Sequence, residues 1–345
     1  MRSLRRWLES VWYSPHAPLL LRPFAALFGT VVALRRWCHR RGLLQSAHPG
    51  VPVIVVGNLT VGGSGKTPLT LYLVEALRAQ GLKVGILSRG YGRSGSAALV
   101  VSADSDWCAV GDEPLLLARR SGAPTVVARD RVAGARLLGE LGAQVIVCDD
   151  GLQHLRLARD LQIVVIDGTR GFGNGRLLPA GPLREPAARL AAADLVVLNG
   201  AARHASLAAL PGGAPLLNMQ LRAGLAQSLG GEGARGLASF AGSPVHAVAG
   251  IGSPARFFAT LRAAGLELIE HPFPDHHPLT PAELDFGDSL PVLMTEKDAV
   301  KCTGFARAGL WYVPVAAHLS DADAQQLLRC VQDRVRAVAT QSRSG

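Results

Sequence analysis

The sequence predicts an α/β protein built on a mostly parallel sheet with helices on both faces. A smaller C-terminal α/β domain follows, and a membrane-associated helix precedes. Three observations lead there. Short β-branched runs alternate with helix-like stretches over residues 51–215. The first run feeds a glycine-rich loop that ends Gly65-Lys66-Thr67. The positive charge is gathered at the N-terminal end, among apolar side chains.

The N-terminal segment, 1–50, holds eight arginines (2, 5, 6, 22, 35, 36, 40 and 41) and one acid, Glu9. The formal net charge of the whole chain is +10, so the rest of the chain is close to balanced. A nucleic-acid groove spreads positive charge over the folded body, so nucleic acid is not expected as a partner. Phe24, Leu27, Phe28, Val31, Val32 and Leu34 form most of a helical stripe, with Trp7, Trp12, Tyr13 and Trp37 nearby. Arginine and tryptophan around an apolar stripe suit an anionic membrane surface; a helical pair packed on the protein's own core is the alternative. The uncharged stretch from Pro23 to Leu34 is well short of the roughly 20 residues that span a bilayer. No small-residue cleavage site follows it cleanly, which argues against a signal peptide. Basic flanks point to the cytoplasmic side.

In the body, apolar runs at 53–56, 84–87, 125–128, 145–148, 163–166 and 195–198 read as buried parallel strands. Helix-like stretches at 68–80, 113–120 and 131–141 lie between them. These place a nucleotide-binding core at 51–215. Residues 216–244 are rich in Gly, Ala and Ser and read as a linker, with a smaller α/β domain over 245–345. A last helix is expected from about 320 to 337. Five cysteines (38, 108, 148, 302 and 330) with no C-x-x-C pair support neither a disulfide framework nor a zinc site.

The glycine-rich loop reads "VIVVGNLTVGGSGKTPLT" over 53–70. A phosphate-binding loop needs converging backbone N–H groups, a lysine for the terminal phosphates and a hydroxyl for Mg²⁺. Gly62, Gly63 and Gly65 meet the first need, Lys66 the second and Thr67 the third. Strand before and helix after make this a P-loop NTPase-type core. Thr60 stands where the usual G-x-x-x-x-G-K-[ST] has its first glycine. A P-loop also needs a carboxylate at a neighbouring strand end. Asp149 and Asp150 of "VIVCDDGLQH" supply it, and Asp167 of "IVVID" is a rival.

Together with "SRGYGR" (88–93), "GDEP" (111–114), "LLPAGPLREP" (177–186), "FPDHH" (273–277) and "TEKDAVK" (295–301), these motifs closely resemble the tetraacyldisaccharide 4′-kinase family. The resemblance runs through nearly the whole chain in order, and that family also has a non-glycine residue where Thr60 stands. It implies transfer of the ATP γ-phosphate to the 4′-hydroxyl of a tetraacylated disaccharide 1-phosphate, a lipid A precursor, at the cytoplasmic face of the bacterial inner membrane. ATP and Mg²⁺ are the implied cofactors; the lipid and the membrane surface are the implied partners, with no obligatory protein partner. Thr60, Val61, Gly62, Gly63, Ser64, Gly65, Lys66 and Thr67 would cradle the phosphates, and Thr67, Asp149 and Asp150 would hold the metal. Asp112 would accept the hydroxyl proton, assisted by His276.

Asp112 before Glu113-Pro114 also reads as a helix N-cap, and His276-His277 as turn residues or metal ligands. Tyr91, Arg93, Arg131, His154, Arg184 and Glu185 are further candidates for substrate or nucleotide contact. "TEKD" reads as either a base-recognition loop or a helix start. A regulatory GTPase or metallochaperone would want Cys/His clusters or an Asn-Lys-x-Asp motif, and neither is present. A membrane-bound nucleotide sensor would leave the Asp and His candidates without a role. A kinase for a soluble small molecule is the closest alternative, and it leaves the apolar N-terminal segment unexplained.

Overall fold

The computed structural model describes residues 2–14, 18–93 and 95–344. The side chains of Arg2, Arg5 and Arg6, counted above, lie outside what is described. In chain order the N-terminal half comprises α1 (Arg2–Trp12), α2 (Arg22–Arg40), β1 (Val53–Gly57), α3 (Lys66–Ala79), β2 (Val84–Ser88), β3 (Leu99–Val101), α4 (Trp107–Val110), α5 (Asp112–Ser121), β4 (Thr125–Val127), α6 (Arg131–Glu140) and β5 (Val145–Asp149). Then come β6 (Leu161–Asp167), β7 (Leu195–Asn199), β8 (Leu216–Ala223), β9 (Ala226–Ser228), β10 (Ala234–Arg235), β11 (Val245–Ala249), α7 (Pro254–Ala263) and β12 (Leu268–Pro272). The chain ends with β13 (Val292–Thr295), α8 (Glu296–Ala299), β14 (Leu310–Val313), β15 (Val315–Leu319) and α9 (Asp321–Ser344).

Nine strands form the large sheet in the order β15-β8-β7-β6-β1-β5-β2-β4-β3. The interior pairs are parallel, and only the two edge strands, β15 and β3, run antiparallel to their neighbours. Strands β1, β2, β5 and β7 are buried along their whole length, which is why they read as continuous apolar runs. One face carries α3, α5 and the C-terminal α9, with Leu69, Leu73, Leu117 and Leu327 in a shared core. The other carries α6 and the segment around Phe172 to Leu207. A six-stranded second sheet, β10-β9-β14-β13-β11-β12, has its own core around Trp311, Phe257 and Leu293.

The segment read as a linker is not one. Residues 216–223 form β8 inside the large sheet, and β9 and β10 join the second. Burial alternates along "LLNMQLRA", with Leu217 and Met219 inward and Leu216, Asn218 and Gln220 outward. That two-residue period is in the sequence, but abundant glycine and proline on either side masked it. The C-terminal unit also ends earlier than 345. Past Pro314 the chain returns to the large sheet as β15, and α9 buries Leu327 and Val331 against the same core as α3.

At the N-terminal end, Val11, Trp12, Ala25 and Ala180 share a small core. Trp12 Nε1 donates to the Pro179 carbonyl at 2.9 Å, and the Trp12 carbonyl accepts from the Asn174 amide at 2.8 Å. The outer side of α2 leaves Phe24, Leu27, Val31, Leu34 and Trp37 exposed. Among the described residues no helix is long and apolar enough to cross a membrane.

Candidate active site

Parallel pairing puts the strand C-termini along one edge, in the crevice where α/β sheets bind ligands. Val56 lies opposite Asp149, and Asp167 opposite Asn199. The loop after β1 therefore opens beside both candidate carboxylates. Within it Gly62 and Gly65 have φ of +106° and +96°, and Gly65 leads directly into α3. A Cβ on Gly65 would lie 2.5 Å from Asn199 Nδ2, which donates to the Ser64 carbonyl at 2.9 Å. Only glycine fits there, and Asn199 holds the loop from the end of β7.

Thr60 has a different task from the glycine it replaces. It forms an antiparallel bridge with Leu183. The Val61 amide donates to the Pro182 carbonyl (2.8 Å), and the Arg184 amide to the Leu59 carbonyl (2.7 Å). An extended, paired loop entrance needs no positive φ, so a threonine is accommodated. The bridge also ties the loop to "LLPAGPLREP", the segment that α1 grips through Pro179.

Lys66 Nζ donates to Asn58 Oδ1 at 3.1 Å and lies 3.6 Å from Asp150 Oδ1. Asp150 also accepts from Arg184 Nη1 on both oxygens, at 3.1 and 3.0 Å. Burial raises its pKa, but Lys66 and Arg184 outweigh this and hold it well below the usual carboxylate range. Asp149 differs: it accepts from Thr70 Oγ1 at 3.2 Å and Thr67 Oγ1 at 3.5 Å, and among the described residues no cation pairs with it. Burial, then Glu113 and Asp150, push its pKa up to about 7 against the pull of Lys66. Two adjacent acids thus face different partners. Asp167, the rival, is taken up by the Thr169 and Arg170 amides and by Arg256 of α7.

The second cluster joins the two sheets. Asp112 is the first residue of α5; the N-cap is Gly111, at φ +95°, packed on Gly90 and Tyr91. Asp112 is therefore not the cap. Its buried carboxylate meets His276 Nδ1 at 2.9 and 3.0 Å and accepts the Glu113 amide at 2.8 Å. Burial would raise the Asp112 pKa, yet the His276 hydrogen bond and Lys297 lower it. Burial would lower that of His276, yet the same bond raises it. The Tyr91 ring lies 4.8 Å from the imidazole, centroid to centroid. A Cβ on Gly252 would stand 3.0 Å from the Gly63 nitrogen and 3.4 Å from Asp275 Oδ2. The glycine-rich loop and the His276 loop thus share a neighbour across the cleft.

Among the described residues, Asp150 and His276 are the non-glycine positions with positive φ, at 51° and 62°. Such backbone costs about 1–3 kcal/mol and gathers at functional sites. Arg93 and Arg131 are buried, and among the described residues each has guanidinium nitrogen without a hydrogen-bond partner. Arg131 Nη2 reaches the Asp149 carbonyl at 3.5 Å, so it braces that strand end. His154 sits in the turn after Asp150, its pKa lowered to about 4 by burial and by Arg131 and Arg89. Glu185 is buried, accepts from Gln153 at 3.1 Å and lies 3.6 Å from Arg36 on α2 and 3.4 Å from Arg189. His277 pairs with Glu283 at 2.8 Å. Among the described residues no group of three or more His, Cys, Asp or Glu side chains is arranged to hold a metal ion. In "TEKD", Thr295 caps α8 by accepting the Asp298 amide, so the motif is a helix start. Asn58, Asn199, Glu113, Asp275 and Lys297 escaped the sequence reading, because single polar residues in loops and at the ends of strands and helices carry no periodic signal.

A family model for tetraacyldisaccharide-1-P 4′-kinase matches residues 17–335. The tetraacyldisaccharide 4′-kinase of Alkalilimnicola ehrlichii is 53% identical over 311 residues, 89% of this chain and 90% of that protein. That of Stenotrophomonas maltophilia is 51% identical over 311 residues, with 89% and 91% covered. A crystal structure of LpxK from Aquifex aeolicus in complex with ATP superposes with a TM-score of 0.75 at 31% identity, covering 91% of this chain and 97% of that one. The chain belongs to the tetraacyldisaccharide-1-P 4′-kinase family.

Proposed function

We propose that this chain is an ATP-dependent kinase that phosphorylates the 4′-hydroxyl of tetraacyldisaccharide 1-phosphate, a step of lipid A biosynthesis. The observation that carries the reading is the Asp112–His276 pair, met across a cleft whose other wall is the phosphate-binding loop. Family membership supplies the acceptor. The amides of residues 60–67 bind the phosphates at the start of α3, where the helix dipole favours negative charge. Lys66 moves to the terminal phosphates. Asp112 takes the proton of the attacking hydroxyl while His276 fixes its orientation.

Thr67, Asp149 and Asp150 offer hard oxygen ligands of the kind Mg²⁺ takes. A buried Asp149 that accepts from Thr67 and Thr70 fits that ion, and Thr67, Asp149 and Asp150 would hold it. When bound, Mg²⁺ neutralises charge on the transferring phosphoryl group. Transfer from γ-labelled ATP to the lipid in detergent micelles tests the reading: label should enter the lipid and stop when Mg²⁺ is chelated. ATP turnover with no labelled lipid would send the acceptor assignment to soluble substrates.

The N-terminal segment supports work at a membrane surface, on the cytoplasmic face. Phe24, Leu27, Val31, Leu34 and Trp37 stay exposed on α2, which also carries Arg22, Arg35, Arg36 and Arg40. Burying even two such side chains contributes several kcal/mol at about 1.5–3 kcal/mol each. Leu27→Glu with Leu34→Glu should weaken binding to anionic phospholipid vesicles by at least about tenfold. Unchanged cosedimentation would remove α2 from the membrane contact.

A further inference from the structure

Around His276 the carboxylates outnumber the other cations. Asp112 faces it from α5, Asp275 from its own loop and Tyr91 from the loop after β2, and Glu113 of α5 joins the cluster through Lys297. Its neighbour His277 turns to Glu283. Lys301, past the end of α8, is spent on Asp298 and the His277 carbonyl, though its charge still reaches Asp112. The remaining cation is Lys297. Its Nζ lies 2.9 Å from Glu113 Oε1, 3.0 Å from Asp275 Oδ1, 4.0 Å from Asp112 Oδ2 and 3.4 Å from His276 Nε2.

The rest of "TEKDAVK" is built to hold it there. Asp298 is fully buried and fastens the helix start to the Gly250 amide, Thr295 and Lys301. Glu296 pairs with Arg120 of α5 at 2.6 Å. Between these anchors Lys297 is directed into the cleft with little side-chain freedom, its side chain 15% exposed.

We propose that Lys297 is a positioning residue that opposes protonation of His276, holding Nε2 as an acceptor so that Nδ1–H points at Asp112. Asp112 then accepts the acceptor's proton without an imidazolium beside it to weaken its basicity. The proposal rests on the reading of Asp112 as the base. Its physical reason is charge balance. With Lys297 present, one ammonium serves Glu113 and Asp275; without it, His276 stands between the Asp112 and Asp275 carboxylates with no ammonium beside Nε2. In the electrostatics burial and Lys297 pull the His276 pKa down while Asp112 and Asp275 pull it up, and the net direction is upward, so Lys297 limits a rise that the carboxylates impose.

The test is the pH profile of kcat/KM for lipid phosphorylation. Lys297→Met should move the ascending limb up by about one pH unit. It should also lower the rate at pH 7 by about tenfold, with KM for ATP within about twofold. Lys297→Arg should keep the limb in place. Asp275→Asn removes the carboxylate that lies 3.7 Å from His276 Nε2 and should move the limb down. That opposite sign decides the matter even if Lys297→Met fails to melt cooperatively. A uniform rate loss at every pH with an unmoved limb, or no change at all, would overturn the proposal and leave Lys297 a strut. If Asp112→Asn retains the wild-type profile while Lys66→Ala is inactive, the base assignment is what fails, and this proposal falls with it.

Discussion

Replacing Lys66 with alanine should lower kcat for lipid phosphorylation by about 10²–10³-fold, the range seen when one preorganised charge-stabilising donor is removed. The loss should come with a folded protein. Lys66 Nζ contacts Asn58 and Asp150, but Asp150 keeps both bonds to Arg184, so no buried carboxylate is abandoned. Asn58 keeps its own tie to the Gly62 carbonyl at 3.3 Å. The effect therefore falls on the transferring phosphoryl group, whose charge the ammonium meets as it develops. Lys66→Arg should not restore the rate, because a planar fork cannot substitute for a compact point charge in a loop this tight. Initial rates with γ-labelled ATP, beside thermal melts, separate the two contributions. A variant that transfers phosphate within about tenfold of wild type would contradict the assignment.

The glycine-rich turn between β1 and α3 was legible because its pattern is local. Three glycines, a lysine and a threonine between a buried strand and a helix leave few alternatives, and adjacent acids after β5 mark a strand end. The parallel sheet was legible for the same reason: strands buried on both faces read as unbroken apolar runs. What stayed hidden depends on contacts between distant segments. The resemblance accounted for Thr60 at the loop entrance, but its isolated bridge to Leu183 could not be read from the sequence. Strand β8 was missed because an edge region alternates, and alternation among glycines reads as a loop. The return of β15 and α9 to the first sheet could not be read at all, since a crossover has no local signature. Lys297, Asp275 and Glu113 belong to the same class. Each is an ordinary charged residue on a helix or loop, and only packing shows that one ammonium serves two of those carboxylates.

Asp112→Asn should reduce kcat by about 10²–10⁴-fold, the span of general acid–base contributions, with little change in KM for ATP. Asparagine keeps the volume, and its carbonyl still accepts the Glu113 amide and His276 Nδ1–H, so packing at this buried position survives. What it loses is the charge. The stability consequence has a definite sign. Asp112 titrates below its usual range in the fold, so its contribution is present above about pH 4 and fades as pH falls through the folded value. His276 titrates above its usual range, so its contribution is present below about pH 6.5 and fades as pH rises through the folded value. Both hold together only between those limits. The melting temperature of wild type should therefore exceed that of Asp112→Asn most near pH 5 and least at alkaline pH. A gap that is equal at pH 5 and pH 9 would mean the two groups do not share a proton equilibrium. In that case an activity loss would have to come from the missing carboxylate alone, with His276 serving only to fill the cleft.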